Sequence, residues 1–235
     1  VLRVYGWNPA AISVGYNQDV SKEINLDNCK NNNIDVVRRI SGGKAVFHDK
    51  ELTYSFILPE SLGLLSKDIN ESYKEIADAL LIAFEKLGIS AEVKKVPERI
   101  ATSICFNSSN WYELLVNRKK ISGSAQRRMA GKILQHGSML IDFDYEKNSL
   151  LFNSSNLIDV LSNLRKRITS LKNELNKVIS YEEFAEAIKS GFKENFGFEI
   201  LDDSLSEEEK ILAQKLREEK YKTDEWNYKL TAKTI

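Results

Sequence analysis

Strand patterns fill most of the first 141 residues, and one long amphipathic helix interrupts them. Strands are predicted at residues 34–39, in the runs AVFHD and LTYSFIL, and at residues 132–141. The helix is predicted at residues 68–87, where apolar residues recur with a period near 3.6 and Gly88 forms a C-terminal cap. From Leu157 onward the pattern is helical. The chain is therefore predicted to be α+β, with mixed, largely antiparallel sheets packed with helices and a helical C-terminal part.

A pair of glycines separates two of these strands, in the run Ser41-Gly42-Gly43-Lys44. One interpretation is a tight hairpin turn that needs positive φ, which would make these strands and the next one a β-meander. The other is a backbone against which a ligand lies, with Arg38, Arg39 and Lys44 as cations for an anionic or carbonyl group. The local pattern leaves both interpretations open.

The most reactive combination of residues lies between positions 105 and 138. Cys105 is predicted in a loop, ahead of a hairpin formed by residues 111–116 and 120–122 across a turn at residues 117–119. A loop thiol with a neighbouring cation is a candidate nucleophile, because the thiolate is the reactive form. Lys120 is one candidate activator, and His48 and His136 are others. A buried, inert Cys105 is the alternative, and Cys29 is predicted to pack one side of a short helix.

Composition excludes several classes of function. The 34 basic residues cancel the 34 acidic ones, which disfavours nucleic acid as the main ligand. Apolar runs are too short to span a bilayer, so no membrane partner and a cytoplasmic location are expected. Two cysteines are too few for a disulfide framework, and acidic residues lack metal-ligand spacing, so no metal is predicted. The chain starts without Met inside a strand pattern, and we expect residue 1 to be a cut.

Three runs taken together resemble the biotin/lipoate protein ligase superfamily, and more narrowly its cysteine-dependent octanoyltransferases of the LipM type. They are RRISGGKAVFHDKELTYS, ICFNSSNWYELLVNRKKISGSAQRR and GKILQHGSML. The resemblance covers essentially the whole chain. It implies the catalytic-domain fold of that superfamily and one domain over residues 1–235, with a β-rich acyl-binding core at residues 1–152 and a helical portion at residues 153–235.

The resemblance also implies roles for single residues. Cys105 matches the nucleophile that accepts the acyl group, and Lys120 matches the lysine that contacts the acyl carbonyl and lowers the pKa of the thiol. No metal or cofactor is implied. The residues expected to bind substrate or line an acyl tunnel are Arg38, Arg39, Ser41, Gly42, Gly43, His48, Gly123, Ser124, Ala125, His136, Gly137 and Ser138. His136 thereby becomes a residue of the tunnel wall and no longer a candidate base.

The implied reaction moves an octanoyl group from acyl carrier protein, through a Cys105 thioester, to a lysine of a lipoyl domain such as glycine cleavage H protein. The enzyme is expected to be a monomer, and a basic face of Arg118, Lys119, Arg127 and Arg128 is expected to steer its acidic partners. ATP-dependent lipoate ligation is one alternative, although such ligases usually carry an Asn-Asp pair near position 105. An octanoyl amidotransferase between lipoyl domains and a non-catalytic module that binds lipoyl domains are the others.

Overall fold

A computed structural model of the chain describes residues 1–94, 113–154 and 156–229. Its strands are β1 (Leu2–Tyr5), β2 (Ala11–Val14), β3 (Asp35–Arg38), β4 (Val46–His48), β5 (Glu51–Pro59), β6 (Glu92–Val93), β7 (Leu114–Val116), β8 (Lys119–Met129) and β9 (Lys132–Leu140). They form a six-stranded antiparallel sheet in the order β1-β5-β9-β8-β7-β6 and a three-stranded sheet in the order β3-β2-β4. The predicted α+β class with largely antiparallel sheets is confirmed.

The helices are α1 (Val20–Glu23), α2 (Leu26–Asn31), α3 (Ile69–Lys86), α4 (Tyr145–Leu151), α5 (Leu157–Arg167), α6 (Leu171–Leu175), α7 (Tyr181–Phe196), α8 (Glu207–Leu216) and α9 (Asp224–Tyr228). Asp68 caps α3 by accepting from the Glu71 N–H, and Gly88 follows its end with φ 83°. The predicted long helix and its cap are confirmed, as is the helical C-terminal part. Among the described residues, the helices are each too short or too polar to cross a bilayer.

The large sheet separates a hydrophobic core from the space beneath the small sheet. Alternate residues of β5, including Tyr54 and Phe56, pack against α3 and α7, where Phe192 meets the ring of Phe56. These two helices touch closely, because a Cβ on Gly191 would lie 2.3 Å from the Ala79 carbonyl oxygen. The residues between them in β5, such as Thr53, point to the opposite face. One face of the large sheet is therefore apolar core, and the other faces the small sheet.

The predicted β-meander is wrong. Strands β3 and β4 do not pair with each other: β2 lies between them, parallel to β3 and antiparallel to β4, and β5 belongs to the large sheet. The glycine run is consequently not a hairpin turn. Arg39 folds it into a compact loop, since its guanidinium donates to the carbonyl oxygens of Gly42 and Lys44, each at 2.7 Å. Gly15 allows this loop to approach β2, because a Cβ there would lie 2.0 Å from the Gly43 oxygen.

The predicted hairpin after residue 111 is confirmed within the described residues, with β7 and β8 joined through Asn117 and Arg118 at φ 50° and 63°. The second strand is longer than predicted and runs to Met129. The run Gly123-Ser124-Ala125 is therefore the middle of a strand paired along its length with β9.

Candidate active site

A cavity of about 480 Å³ lies between the two sheets, and most residues predicted to bind substrate line it. Cross-strand pairing places Gly123 opposite Ser138 and Ala125 opposite His136. The predicted residues in its wall are Arg38, Arg39, Gly43, His48, Gly123, Ser124, Ala125, His136, Gly137 and Ser138. Ser41 and Gly42 lie behind this wall, where Ser41 contacts His136 and Gly42 contacts Arg39. The structure thus brings together segments that are distant in sequence, such as those of Ser41 and His136, which are 95 residues apart.

One side of the cavity is a buried polar network centred on Glu51, which is 1% exposed. Its Oε1 lies 2.6 Å from His48 Nδ1 and accepts from the Thr53 hydroxyl at 2.7 Å, while its Oε2 accepts from the Ser138 hydroxyl. His48 Nε2 lies 2.7 Å from the Ser13 hydroxyl. The network fixes the orientation of the imidazole in the cavity wall.

Sequence reasoning missed several members of this network. The indole of Trp7 stacks on the His48 ring at 4.1 Å between centroids and donates from Nε1 to the Thr53 hydroxyl at 2.8 Å. The alternation of β5 contains a signal that could have located Glu51, because residues 51, 53 and 55 share the face opposite Tyr54. A charged residue at the inward position of a strand indicates a buried partner.

His136 is suited to a wall position and not to proton abstraction. Burial, together with the charges of Arg39 and His48, lowers its pKa to about 4. Its Nε2 lies 2.5 Å from the Ser41 hydroxyl. A base whose pKa is so low is a weak proton acceptor at neutral pH. The geometry is thus consistent with the predicted tunnel wall.

Arg38 and Arg39, which one interpretation of the glycine run makes cations for a ligand, bind backbone carbonyl oxygens. The Arg38 guanidinium donates to carbonyl oxygens of Gly15, Tyr16, Gln18, Trp226 and Asn227, at 2.8 to 3.1 Å. These contacts fasten α9 and the end of β2 to β3. Arg39 binds the glycine loop and the Ser13 carbonyl at 2.9 Å. Each side chain borders the cavity, but these contacts orient its guanidinium toward the chain itself.

Lys120 lies beside the wall at Gly123. A Cβ on Gly123 would fall 2.8 Å from Lys120 Cε and 2.9 Å from Nζ, so the absence of a side chain makes room for the ammonium. Nζ donates to Glu113 Oε1 at 2.6 Å, and both side chains are 4% exposed. Sequence reasoning did not single out Glu113. Cys105, the predicted nucleophile, lies outside the described residues.

Cys29 matches its predicted packing role. It is 2% exposed within a cluster of apolar residues that includes Ile34 and Phe152. Burial raises the pKa of its thiol to about 11. Cys29 is therefore an inert thiol at neutral pH. Within the described ranges, no group of three His, Cys, Asp or Glu side chains is arranged to hold a metal ion.

The predicted basic face is wrong as one surface. Arg127 and Arg128 are neighbours on β8, and successive side chains of a strand point to opposite faces. Arg127 lies 4.8 Å from the Tyr16 ring centroid and donates to the Ile40 carbonyl. Arg128 lies on the helix side, where it donates to the Ser66 carbonyl at 2.7 Å. Each arginine therefore stabilises a loop on its own side of the large sheet.

Comparison with known proteins shows which family and which proteins the chain is similar to. Residues 1–193 match the lipoyl protein ligase A/B catalytic domain family. The chain is 40% identical to an octanoyltransferase LipM from Brevibacillus brevis, over 96% of this chain and 86% of that protein. It is 38% identical to an octanoyltransferase LipM from Bacillus subtilis, over 97% of this chain and 86% of that protein. A solved structure of a bi-partite lipoate protein ligase and its E2 lipoyl domain from Thermoplasma acidophilum is also similar. It has a TM-score of 0.83 and 26% identity over 100% of this chain and 86% of that chain.

Proposed function

Because the chain belongs to the lipoyl protein ligase A/B catalytic domain family, we propose that it is an octanoyltransferase of lipoate biosynthesis. The observation that carries the proposal is the cavity of about 480 Å³, whose wall is formed by the segments that match the family. Lys120 Nζ lies at that wall, beside Gly123. The cavity would hold the acyl chain, and the ammonium would face its carbonyl end.

The reaction proceeds in two acyl transfers. In the first, the Cys105 thiolate attacks the thioester carbon of octanoyl-acyl carrier protein, and the carrier's thiolate leaves and takes up a proton. In the second, the amine of an acceptor lysine attacks the octanoyl-Cys105 thioester. The Cys105 thiolate leaves, the nitrogen loses a proton, and an amide is formed. The role of Cys105 rests on its match to the family's nucleophile.

Lys120 has two tasks in this scheme, and both require its positive charge. The ammonium stabilises the Cys105 thiolate, and it stabilises the oxyanion that develops at the thioester carbonyl in each transfer. Burial strengthens both effects, because little water remains at the site to screen the charge. The 4% exposure of the side chain supports this role.

The size of the cavity supports an eight-carbon substrate. Its volume falls in the usual range of small-molecule sites, roughly 300 to 1,000 Å³. Seven carbons beyond the carbonyl, buried at about 0.8 kcal/mol each, contribute about 6 kcal/mol of binding. The alkyl portions of Val37, Ile40 and Val46 supply apolar contacts in the wall.

The acceptor is a lipoyl domain, as for the similar ligase whose structure includes its E2 lipoyl domain. Within that class we propose glycine cleavage H protein as one acceptor and acyl carrier protein as the donor. No ATP is consumed, because the thioester supplies the activated acyl group. ATP-dependent ligation and transfer from one lipoyl domain to another are the two reactions that the experiment must separate.

Intact-mass measurement tests the proposal. The protein is mixed with octanoyl-acyl carrier protein without ATP, and an octanoyl adduct is expected on the wild type. The adduct should vanish in Cys105→Ala and persist in Cys29→Ala, the matched control, because Cys29 is buried. Addition of an unmodified lipoyl domain should then remove the adduct and give an octanoylated domain.

Two outcomes would contradict the proposal. If no adduct forms while Cys105→Ala attaches lipoate to a lipoyl domain with ATP, the chain is a ligase. If an adduct forms from an octanoylated lipoyl domain but not from octanoyl-acyl carrier protein, the chain is an amidotransferase.

A further inference from the structure

A buried ion pair lies next to the cavity, and the scheme above uses only one of its members. Lys120 Nζ donates to Glu113 Oε1 at 2.6 Å, and each side chain is 4% exposed. An unpaired charge is costly to bury, so the carboxylate and the ammonium depend on each other. Glu113 is therefore a candidate to act on the reaction through Lys120.

The hairpin brings the two residues together by a β-bulge. Leu115 pairs with Lys120, whereas Leu114 pairs with Ser122, so β8 carries one extra residue at this point. Glu113 precedes Leu114, so the same register places it level with Gly123. The ammonium of Lys120 lies beside Gly123. The Glu113 carbonyl accepts from the Lys94 N–H at 2.8 Å, which ties this backbone to the neighbouring segment after β6. The backbone that carries the carboxylate is therefore hydrogen-bonded at the N-terminal end of β7.

We propose that Glu113 is a positioning residue for Lys120, whose carboxylate keeps the lysine amine protonated and fixed at the cavity wall beside Gly123. A buried amine without a counter-charge favours its neutral form, and a carboxylate in contact opposes that change. Only the protonated amine can stabilise a thiolate and an oxyanion. The inference rests on the proposed function, in which Lys120 acts on the Cys105 thiol.

The carboxylate has a second effect of opposite sign, and the two can be separated. Its negative charge partly cancels the field of the ammonium, which would by itself make the Cys105 thiol less acidic. Replacement of Glu113 by Gln preserves the shape of the side chain and removes the charge. If holding the proton on Lys120 dominates, the thiolate fraction falls in Glu113→Gln. If cancellation dominates, the thiolate fraction rises. Burial of both partners makes the protonation of Lys120 the dominant effect, because a neutral Lys120 exerts almost no field on the thiol.

The test is the pH dependence of Cys105 alkylation by iodoacetamide, followed by intact mass. We compare the wild type with Glu113→Gln, Glu113→Asp and Lys120→Met. The matched control is Asp78→Asn, which removes a carboxylate from the exposed Lys74–Asp78 pair on α3, at 2.9 Å. We expect Glu113→Gln to move the profile to higher pH, in the same direction as Lys120→Met, with alkylation at pH 7 about tenfold slower for each unit of pKa. Glu113→Asp should lie between, and Asp78→Asn should match the wild type.

The outcomes separate the inference from the proposed function. An unchanged profile in Lys120→Met contradicts the role of Lys120 itself. A shifted profile in Lys120→Met with an unchanged or oppositely shifted profile in Glu113→Gln overturns the inference alone. Urea unfolding of each variant checks that it is folded. If Glu113→Gln does not fold, Glu113→Asp provides the test, because its shorter side chain cannot keep the 2.6 Å contact with Lys120. A wild-type alkylation profile in Glu113→Asp would then overturn the inference.

Discussion

The glycine beside Lys120 offers a direct test of how closely the ammonium must be placed. In Gly123→Ala the new methyl group would lie 2.9 Å from Nζ and 2.8 Å from Cε. Non-bonded heavy atoms settle at about 3.5 to 4.0 Å, so Nζ must move by roughly 0.6 to 1 Å. A shift of that size lengthens the 2.6 Å contact with Glu113 to the limit of a hydrogen bond. The end of a flexible side chain moves, so the sheet itself is expected to stay intact.

The consequence for catalysis is similar in free energy to the consequence for stability. A displacement of about 1 Å at a reacting centre costs about 100-fold in rate. Weakening one hydrogen bond between charged groups costs about 1.5 to 3 kcal/mol in the free energy of unfolding. We therefore expect Gly123→Ala to form the octanoyl-enzyme between 10 and 100 times more slowly, as about 1.4 to 2.7 kcal/mol in the barrier would give.

Single-turnover acylation by octanoyl-acyl carrier protein, quenched and followed by intact mass, measures this rate. Gly42→Ala is the matched control, because a Cβ at Gly42 meets no heavy atom within 4 Å. We expect Gly42→Ala to acylate within about twofold of the wild type, although Gly42 belongs to the predicted substrate-binding set. A wild-type rate in folded Gly123→Ala would refute the reasoning, since the ammonium would then tolerate displacement.

Three further predictions concern Arg38, His136 and Cys29. Arg38→Ala should lower the free energy of unfolding in urea by about 3 to 5 kcal/mol, because it removes donors from buried carbonyl oxygens such as that of Asn227. Arg38→Lys should restore little of this stability, since one ammonium cannot reach the same set of carbonyl oxygens. A loss below about 1 kcal/mol in Arg38→Ala would contradict the stabilising role of Arg38. The pKa of His136 is lowered to about 4, so between pH 6.5 and pH 4 the unfolded chain binds a proton that the folded chain does not. The free energy of unfolding should therefore fall by roughly 3 kcal/mol as the pH drops through that window. His136→Gln should lack this pH dependence. If the variant keeps it, a group other than His136 is responsible. Iodoacetamide at pH 7.5 should leave Cys29 unmodified in the native protein and alkylate it in urea, because burial raises its pKa to about 11; native alkylation of Cys29 would contradict its burial.

Local pattern was sufficient for elements whose cause is local. The apolar stripe of α3 and the β7–β8 turn at Asn117 are set by residues within one or two turns of each other, and both were predicted correctly. Sheet membership was not, because strands choose partners through packing across the whole chain. β1 and β2 are close in sequence but belong to different sheets, and β2 inserts between β3 and β4. Alternation within a strand contains no information on which neighbour it pairs with.

The site followed the same division. Motif matching located most of the cavity wall, including His48, whose role as a structural or wall residue agrees with its contacts. Neither the motif nor the local pattern located the acceptors of Arg38, since the carbonyl oxygen of Trp226 lies 188 residues away in sequence. A cationic residue in a motif can be identified from sequence, whereas its hydrogen-bond acceptors depend on the tertiary fold. Glu113 escaped notice for the same reason, because a bulge in the hairpin brings it level with Gly123.

Small residues inside strands of this protein mark close contacts. Gly123 admits the Lys120 side chain on the cavity face of β8. Gly137, on β9, is crowded on the core face, where a Cβ would lie 2.6 Å from both Ser124 Oγ and Tyr54 Cε1. Glycine weakens a strand, so its presence at two such positions requires a compensating contact. The two glycines lie on adjacent paired strands but open opposite faces of the sheet. One makes room for a charge at the cavity and the other for the core, so the same strand pair shapes the site and anchors it to α3 and α7.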